Sequence, residues 1–191
     1  AALMAADVAP GLLRRRFGFE RWLQHDLRTW TGLRDAALAR RNFTALGRGR
    51  LRGCDRDQAA VRASLANSAR AGTAEHVVFE RRDLASLARA AESSGLVLVN
   101  PPYGGRLEDE ATLGPLYGQL GRALLECFPG WEAGVFTGNP PVGRALRLRA
   151  YRTHTFYNGP IECRLLRFRL TSDAVAPDVA SARKARLEAA R

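Results

Sequence analysis

The sequence predicts an α/β fold: an open, mostly parallel sheet with helices packed on it, closed by an antiparallel hairpin. Three observations predict it. Gly95 to Val99 is a short, continuously apolar run that stops at Asn100-Pro101-Pro102-Tyr103, the pattern of a strand buried on both faces of a parallel sheet. Short strand-like segments alternate with helical patterns from Arg50 to Thr137. Two further strand-like runs flank Asn158-Gly159-Pro160, a hairpin signal.

The bulk properties narrow the function. At 191 residues the chain has the length of one domain and can bury a core. There is no apolar run of about eighteen residues to span a membrane, and the first residues lack the basic stretch of a secretory signal. Cys54, Cys127 and Cys163 are scattered, and with His25, His76 and His154 they form no metal-ligand spacing. A reducing cytoplasm is the simplest setting. The net charge is +11 and the pI about 11.0. Lys184 is the single lysine. Genome composition can set the arginine-to-lysine ratio, but it does not explain a surplus over acids. Such a surplus is the electrostatic footprint of nucleic-acid binding.

The elements follow in order. A first helix runs from Ala1 to about Val8, with no strand and no glycine-rich turn before it. Residues 10–47 read as an insertion. Within it Arg14, Arg15 and Arg16 sit beside Phe17, Phe19, Trp22 and Trp30. Basic residues among aromatics can track a phosphate backbone and stack bases; alternatively, the rings serve only to pack the insertion. Leu33 to Ala45 reads as a helix with Leu33, Ala37, Leu38 and Phe43 on its apolar side. Arg50 to Asp55 is a strand ending in an acid. Asp57 caps the following helix, which carries Val61, Leu65 and Ala69 and ends at Gly72. An acid at such a strand tip is placed to hydrogen-bond ribose hydroxyls; the other reading of Asp55 is a second cap. His76 to Phe79 is the next strand, and Leu84 to Glu92 a helix with Asp83 as its possible cap.

After the central strand, two prolines end the ladder, because each lacks an N–H and has a fixed φ. Pro101 also holds Asn100 extended. The Asn side chain therefore stands on a stiff loop beyond the carboxyl end of a strand, where open α/β sheets bind ligands. Leu113 to Cys127 is an amphipathic helix with Leu113, Leu116, Leu120, Leu124 and Phe128 on one face. Trp131 to Thr137 is a strand. Asn139-Pro140-Pro141 repeats the motif's letters without its aromatic, and an N-cap followed by Pro at N1 explains it. Residues 150–157 and 161–170 form the closing hairpin, and 171–191 are a small, polar, basic tail.

Asn100-Pro101-Pro102-Tyr103 after an apolar strand resembles the motif of S-adenosylmethionine-dependent methyltransferases that modify exocyclic amines. Met4 to Gly11, Phe17-Gly18-Phe19-Glu20 with Trp22, Asn100 to Leu107 and Asn158-Gly159-Pro160 extend the match. Together they resemble the THUMP-associated 23S ribosomal RNA guanine-N2 methyltransferases, over residues 1–170. The resemblance implies a class I (Rossmann-like) methyltransferase sheet and S-adenosyl-L-methionine as cofactor. Large-subunit ribosomal RNA would be the partner, with no membrane and no metal. It implies that Asn100 and Pro101 accept the amine hydrogens while Tyr103 stacks on the base, with Pro102 stiffening the loop. Asp55 would bind ribose, Asp83 and Leu84 adenine, and Asn100 would also contact the cofactor. Arg14, Arg15, Arg16 and Arg106 are the RNA-binding candidates; Arg106 could instead pair with Glu108 or Asp109. Relatives carry a Gly-Ser-Gly-Thr-like loop upstream of the residues matching Ala1. The expectation is therefore a sheet lacking its first strand, and an isolated chain that is poorly soluble and binds the cofactor weakly. An adenine-N6 DNA methyltransferase and a non-catalytic RNA-binding remnant are the alternatives.

Overall fold

The computed structural model describes residues 1–47, 49–103 and 110–176. The chain divides into two compact units, Ala1–Asp83 and Leu84–Arg191.

The first unit opens with a short helix, α1 (Ala2–Ala5), not the longer helix to Val8 that the sequence predicts. Asp7, at φ 48, turns the chain out of it. Asp7 accepts two hydrogen bonds from Arg40, and the Asn42 N–H bonds to the Ala6 carbonyl. These contacts hold α1 against the end of α2 (Leu27–Ala39). The predicted helix at Leu33–Ala45 is thus displaced toward the N-terminus. Asp26 is the reason: its carboxylate accepts the Arg28 and Thr29 N–H groups and starts the helix there. Phe43 falls in a separate 3-10 turn. Ala6, Val8 and Leu46 are buried together. Strands β1 (Leu51–Asp55) and β2 (Val77–Arg81) pair in parallel. Between them lies α3 (Gln58–Arg70), capped by Asp57 as predicted. Gly72, at φ +70, ends that segment in the left-handed conformation that glycine adopts without cost.

The second unit holds a four-stranded sheet ordered β3-β4-β6-β5. Its strands are β3 (Leu96–Val99), β4 (Glu132–Thr137), β5 (Arg152–Asn158) and β6 (Ile161–Arg169). β3 and β4 are parallel; β6 is antiparallel to both β4 and β5, the predicted closing hairpin. Helix α4 (Glu110–Cys127) covers one face and buries Leu113, Tyr117, Leu120 and Leu124. Each such side chain contributes about 1.5–3 kcal/mol by leaving water. Tyr117 takes the buried position on a face whose predicted members included the half-buried Leu116. A Cβ on Gly121 would lie 2.0 Å from the Leu146 carbonyl oxygen, so only glycine lets α4 approach the 3-10 turn Arg144–Leu146 this closely.

Two expectations fail in this unit. β3 is not buried on both faces: Val97 and Val99 pack on the core, while Leu96 and Leu98 are 57% and 67% exposed. A continuous apolar run cannot by itself distinguish one covered face from two. Leu84–Glu92 is also not a helix, despite its alanines; only Leu84–Ser86 makes a 3-10 turn. The Ala90 N–H bonds to the Cys127 carbonyl, and Cys127 Sγ to the Leu87 carbonyl. Contacts with the end of α4 thus override local propensity. Among the described residues, the second edges of β1 and β3 carry no strand.

Candidate functional site

The last rung between β3 and β4 is Val99 with Val135. Beyond it the chain leaves the ladder at Asn100-Pro101-Pro102, as two prolines require. Asn100 stands exposed at the carboxyl end of β3, Pro101 is buried and Pro102 exposed. β4 continues two residues further, pairing Phe136 with Leu165 and Thr137 with Arg164. That overhang forms a floor for the motif's aromatic residue. The half-buried Tyr103 ring meets Phe136 edge-on at 6.4 Å between centroids. A Cβ on Gly138 would lie 2.6 and 2.8 Å from two Tyr103 ring carbons, so the ring rests where Gly138 has no side chain. Asn158 Nδ2 donates to Tyr103 Oη at 3.0 Å.

A buried pair fixes the neighbouring loop. Tyr117 Oη and Thr137 Oγ1 lie 2.9 Å apart, and Thr137 Oγ1 accepts the Asn139 N–H at 3.1 Å. Burial pushes the Tyr117 phenol up, against the opposing pull of Thr137. The Asn139 side chain accepts the Val142 N–H and caps α5 (Pro140–Gly143). The second Asn-Pro-Pro therefore has a structural role. Nothing in the local sequence pattern flags Thr137, whereas helical spacing places Tyr117 inside, one turn after Leu113.

The acids proposed for the cofactor belong to the first unit. Asp55 closes β1 opposite Arg81, and the Arg82 N–H bonds to its carbonyl, which brings Asp55 and Asp83 to the same end of the β1–β2 pair. Asp55 and Asp83 are exposed. Asp55 Oδ1 accepts the Asp57 N–H at 2.9 Å, while Asp57 caps α3 through the Ala59 N–H at 2.7 Å. Leu84, in the second unit, is partly buried against the core. Exposed carboxylates at one end of a strand pair suit the hydroxyls and amine of a nucleoside.

In the insertion, Arg14, Arg15 and Arg16 are exposed, with Arg14 over the Phe17 ring at 5.2 Å. Phe17, Phe19 and Trp30 pack on one another, with centroids 4.9 to 5.3 Å apart. These three rings are spent on packing; Trp22 remains 70% exposed. Arg106, Gly104 and Gly105 lie outside the described residues, as do residues 177–191 of the tail. Among the described residues no group of His, Cys, Asp and Glu could hold a metal ion. No helix among them is long and apolar enough to cross a membrane.

Solved structures share this architecture. A protein of Clostridium difficile 630, described as a possible methylase, matches with a TM-score of 0.78 and 26% identity, covering 88% of this chain and 44% of that one. One from Listeria monocytogenes, described as a predicted N6-adenine-specific DNA methylase, matches with a TM-score of 0.74 and 26% identity, over 87% and 42% of the two chains. Fold and motif together define a class I, Rossmann-like methyltransferase domain with an antiparallel C-terminal hairpin. The chain belongs to the UPF0020 family, RMKL-like methyltransferase domain, whose model matches residues 1–167. Two relatives called ribosomal RNA large subunit methyltransferase K/L are similar to it. That of Allochromatium vinosum is 51% identical over 170 residues, 88% of this chain and 23% of the relative. That of Syntrophotalea carbinolica is 44% identical over 171 residues, 88% and 24% respectively. The chain thus spans about a quarter of the length of these relatives.

Proposed function

We propose that this chain is part of the catalytic domain of an S-adenosyl-L-methionine-dependent RNA methyltransferase. The whole protein would methylate the exocyclic N2 amine of a guanosine in 23S ribosomal RNA, in the cytoplasm. The observation that carries this is the Asn100-Pro101-Pro102-Tyr103 loop, exposed beyond the carboxyl end of β3 with its ring seated over Gly138. Support for the RNA substrate comes from the names of the two relatives and from the +11 charge.

An aniline-like amine is a poor nucleophile because its lone pair is delocalised into the base. The Asn100 side-chain oxygen and the Pro101 carbonyl accept its two N–H bonds, which favours pyramidalisation and aims the lone pair. Acceptors fixed in advance need no reorganisation during reaction. Pro102 keeps the loop stiff. Tyr103 stacks on a base that has left its helix, a contact of about 1–3 kcal/mol. The cofactor supplies the electrophilic methyl. Asp55 would accept from its ribose and Asp83 from its adenine amine, and Leu84 is the candidate for the ring. Arg14, Arg15, Arg16 and Arg106 bind RNA phosphates.

Asn100→Ala in the whole protein is the test. It lowers the single-turnover rate at least about a hundredfold while cofactor affinity changes little, because the lost contact matters most in the transition state. A near-wild-type rate removes Asn100 from the mechanism. Mass analysis of the methylated nucleoside then separates a guanine-N2 product from an adenine-N6 one, the chemistry named for the Listeria protein.

A further inference from the structure

Asn158 occupies the last rung of the β5–β6 hairpin, opposite Ile161, so Gly159 and Pro160 form a two-residue turn. Asn before Gly is commonly explained by turn chemistry, since Asn tolerates the left-handed region. That explanation fails at this position. Gly159 carries the positive φ, +60, while Asn158 is not among the non-glycine residues with positive φ. Pro160 cannot take a positive φ either. The turn is therefore of the kind that needs glycine first, and it makes no demand on the residue before it. What the Asn158 side chain does instead is donate from Nδ2 to Tyr103 Oη at 3.0 Å, across 55 residues of sequence.

Three groups thus constrain the Tyr103 ring. Phe136 meets it edge-on, Gly138 vacates the space beneath it, and Asn158 holds its hydroxyl. Ile161, the partner of Asn158 on the final rung, lies 3.1 Å from the same vacant Cβ position at Gly138. The hairpin tip, the end of β4 and the motif loop converge on one ring, all within the second unit. A phenol held at its hydroxyl cannot swing about χ1 without breaking a hydrogen bond, while Phe136 and the close approach to Gly138 limit rotation of the ring about χ2.

We infer that Asn158 is a positioning residue that fixes Tyr103 in the orientation that stacks on the extruded base. The inference rests on the role proposed above for Tyr103. Asn158 touches neither base nor cofactor in this scheme; it acts through Oη alone. Losing it leaves the ring present but mobile, so the base is captured less often in reactive geometry.

A double-mutant cycle on the whole protein tests this, with unmodified large-subunit ribosomal RNA as substrate. Asn158→Ala lowers kcat/KM about three- to tenfold, the range expected for one neutral hydrogen bond. Tyr103→Phe, which keeps the ring and removes Oη, has a similar effect. The double variant is no worse than either single one, because both remove the same contact. Cofactor affinity stays at its wild-type value. Additive losses overturn the inference, as does a loss of kcat/KM in Asn158→Ala that Tyr103→Phe does not share, which marks a purely structural hairpin role. Asn100→Ala is run alongside. If it is inactive while Asn158→Ala matches wild type, the positioning role fails and the proposed function stands. If Asn100→Ala is itself fully active, the proposed function fails first.

Discussion

In the second unit, α4 lays Tyr117, Leu120 and Leu124 onto a four-stranded sheet whose own Val135 and Phe168 are fully buried. In the first, α3 buries Val61 and Ser68 beside a sheet of two strands. Both units repeat the same strand–helix alternation, but among the described residues the second encloses the larger buried cluster, and the cluster of the first, Ala6, Val8 and Leu46, lies outside its α3. Two strands alone are marginally stable, and three or more with a covered face are needed for independence. The difference bears on function. The stiff loop that would hold the target amine is mounted on the better-packed unit, while the acids proposed for the cofactor stand on the less-packed one. Precise positioning of a reacting group needs the rigid mount; a cofactor that arrives and leaves can be served by a softer one.

The sharpest way to break this comparison is to cut each core. Leu124→Ala should cost about 2–5 kcal/mol, the range for emptying a tightly packed leucine site. Val61→Ala should cost only about 1.5 kcal/mol, close to the transfer value of the groups removed. Urea midpoints of the two variants check it, and equal losses would abolish the distinction between the units. Hydrogen exchange sharpens the same point: amides of β1 and β2 should exchange faster than those of β4 and β6.

The charge contrast comes next. Neutralising Arg14, Arg15 and Arg16 together should lower the slope of log affinity for RNA against log salt by up to about 2–3, since each phosphate contact releases counterions. An unchanged slope would move the basic surface away from the first unit. The smallest effect concerns acid. Hydrogen bonds from Arg167 and Tyr151 hold the Glu132 carboxyl below its ordinary range. A depressed folded-state value means stability that is present above the unfolded-state value and lost as pH falls through the folded one. The carboxylate remains in contact with solvent, which screens the pair, so the effect is small. Glu132→Gln should be slightly less stable than wild type near neutrality, with the gap closing as pH falls below the ordinary glutamate range. A gap that persisted in acid would mean that Glu132 contributes through packing rather than charge.

What the sequence determined by itself is what short range determines. Two prolines stop β3 whatever surrounds them, so the exposed loop at Asn100 was legible before any coordinates. Asp57 and Asn139 cap helices through N–H groups two or three residues away, and Gly159 turns the hairpin through its own φ. Tertiary structure decided the rest. Leu84–Glu92 has helical propensity, but Ala90 and Leu87 bond to the end of α4 instead. Leu96 and Leu98 read as buried, yet burial depends on which layer covers a strand, which an apolar run does not record. Asn158 read as a turn former, because its partner Tyr103 lies 55 residues back. Caps and turns are settled by atoms the chain itself brings within reach; a ring, a hydroxyl and an amide from three separate strand ends meet only after the sheet has set their register.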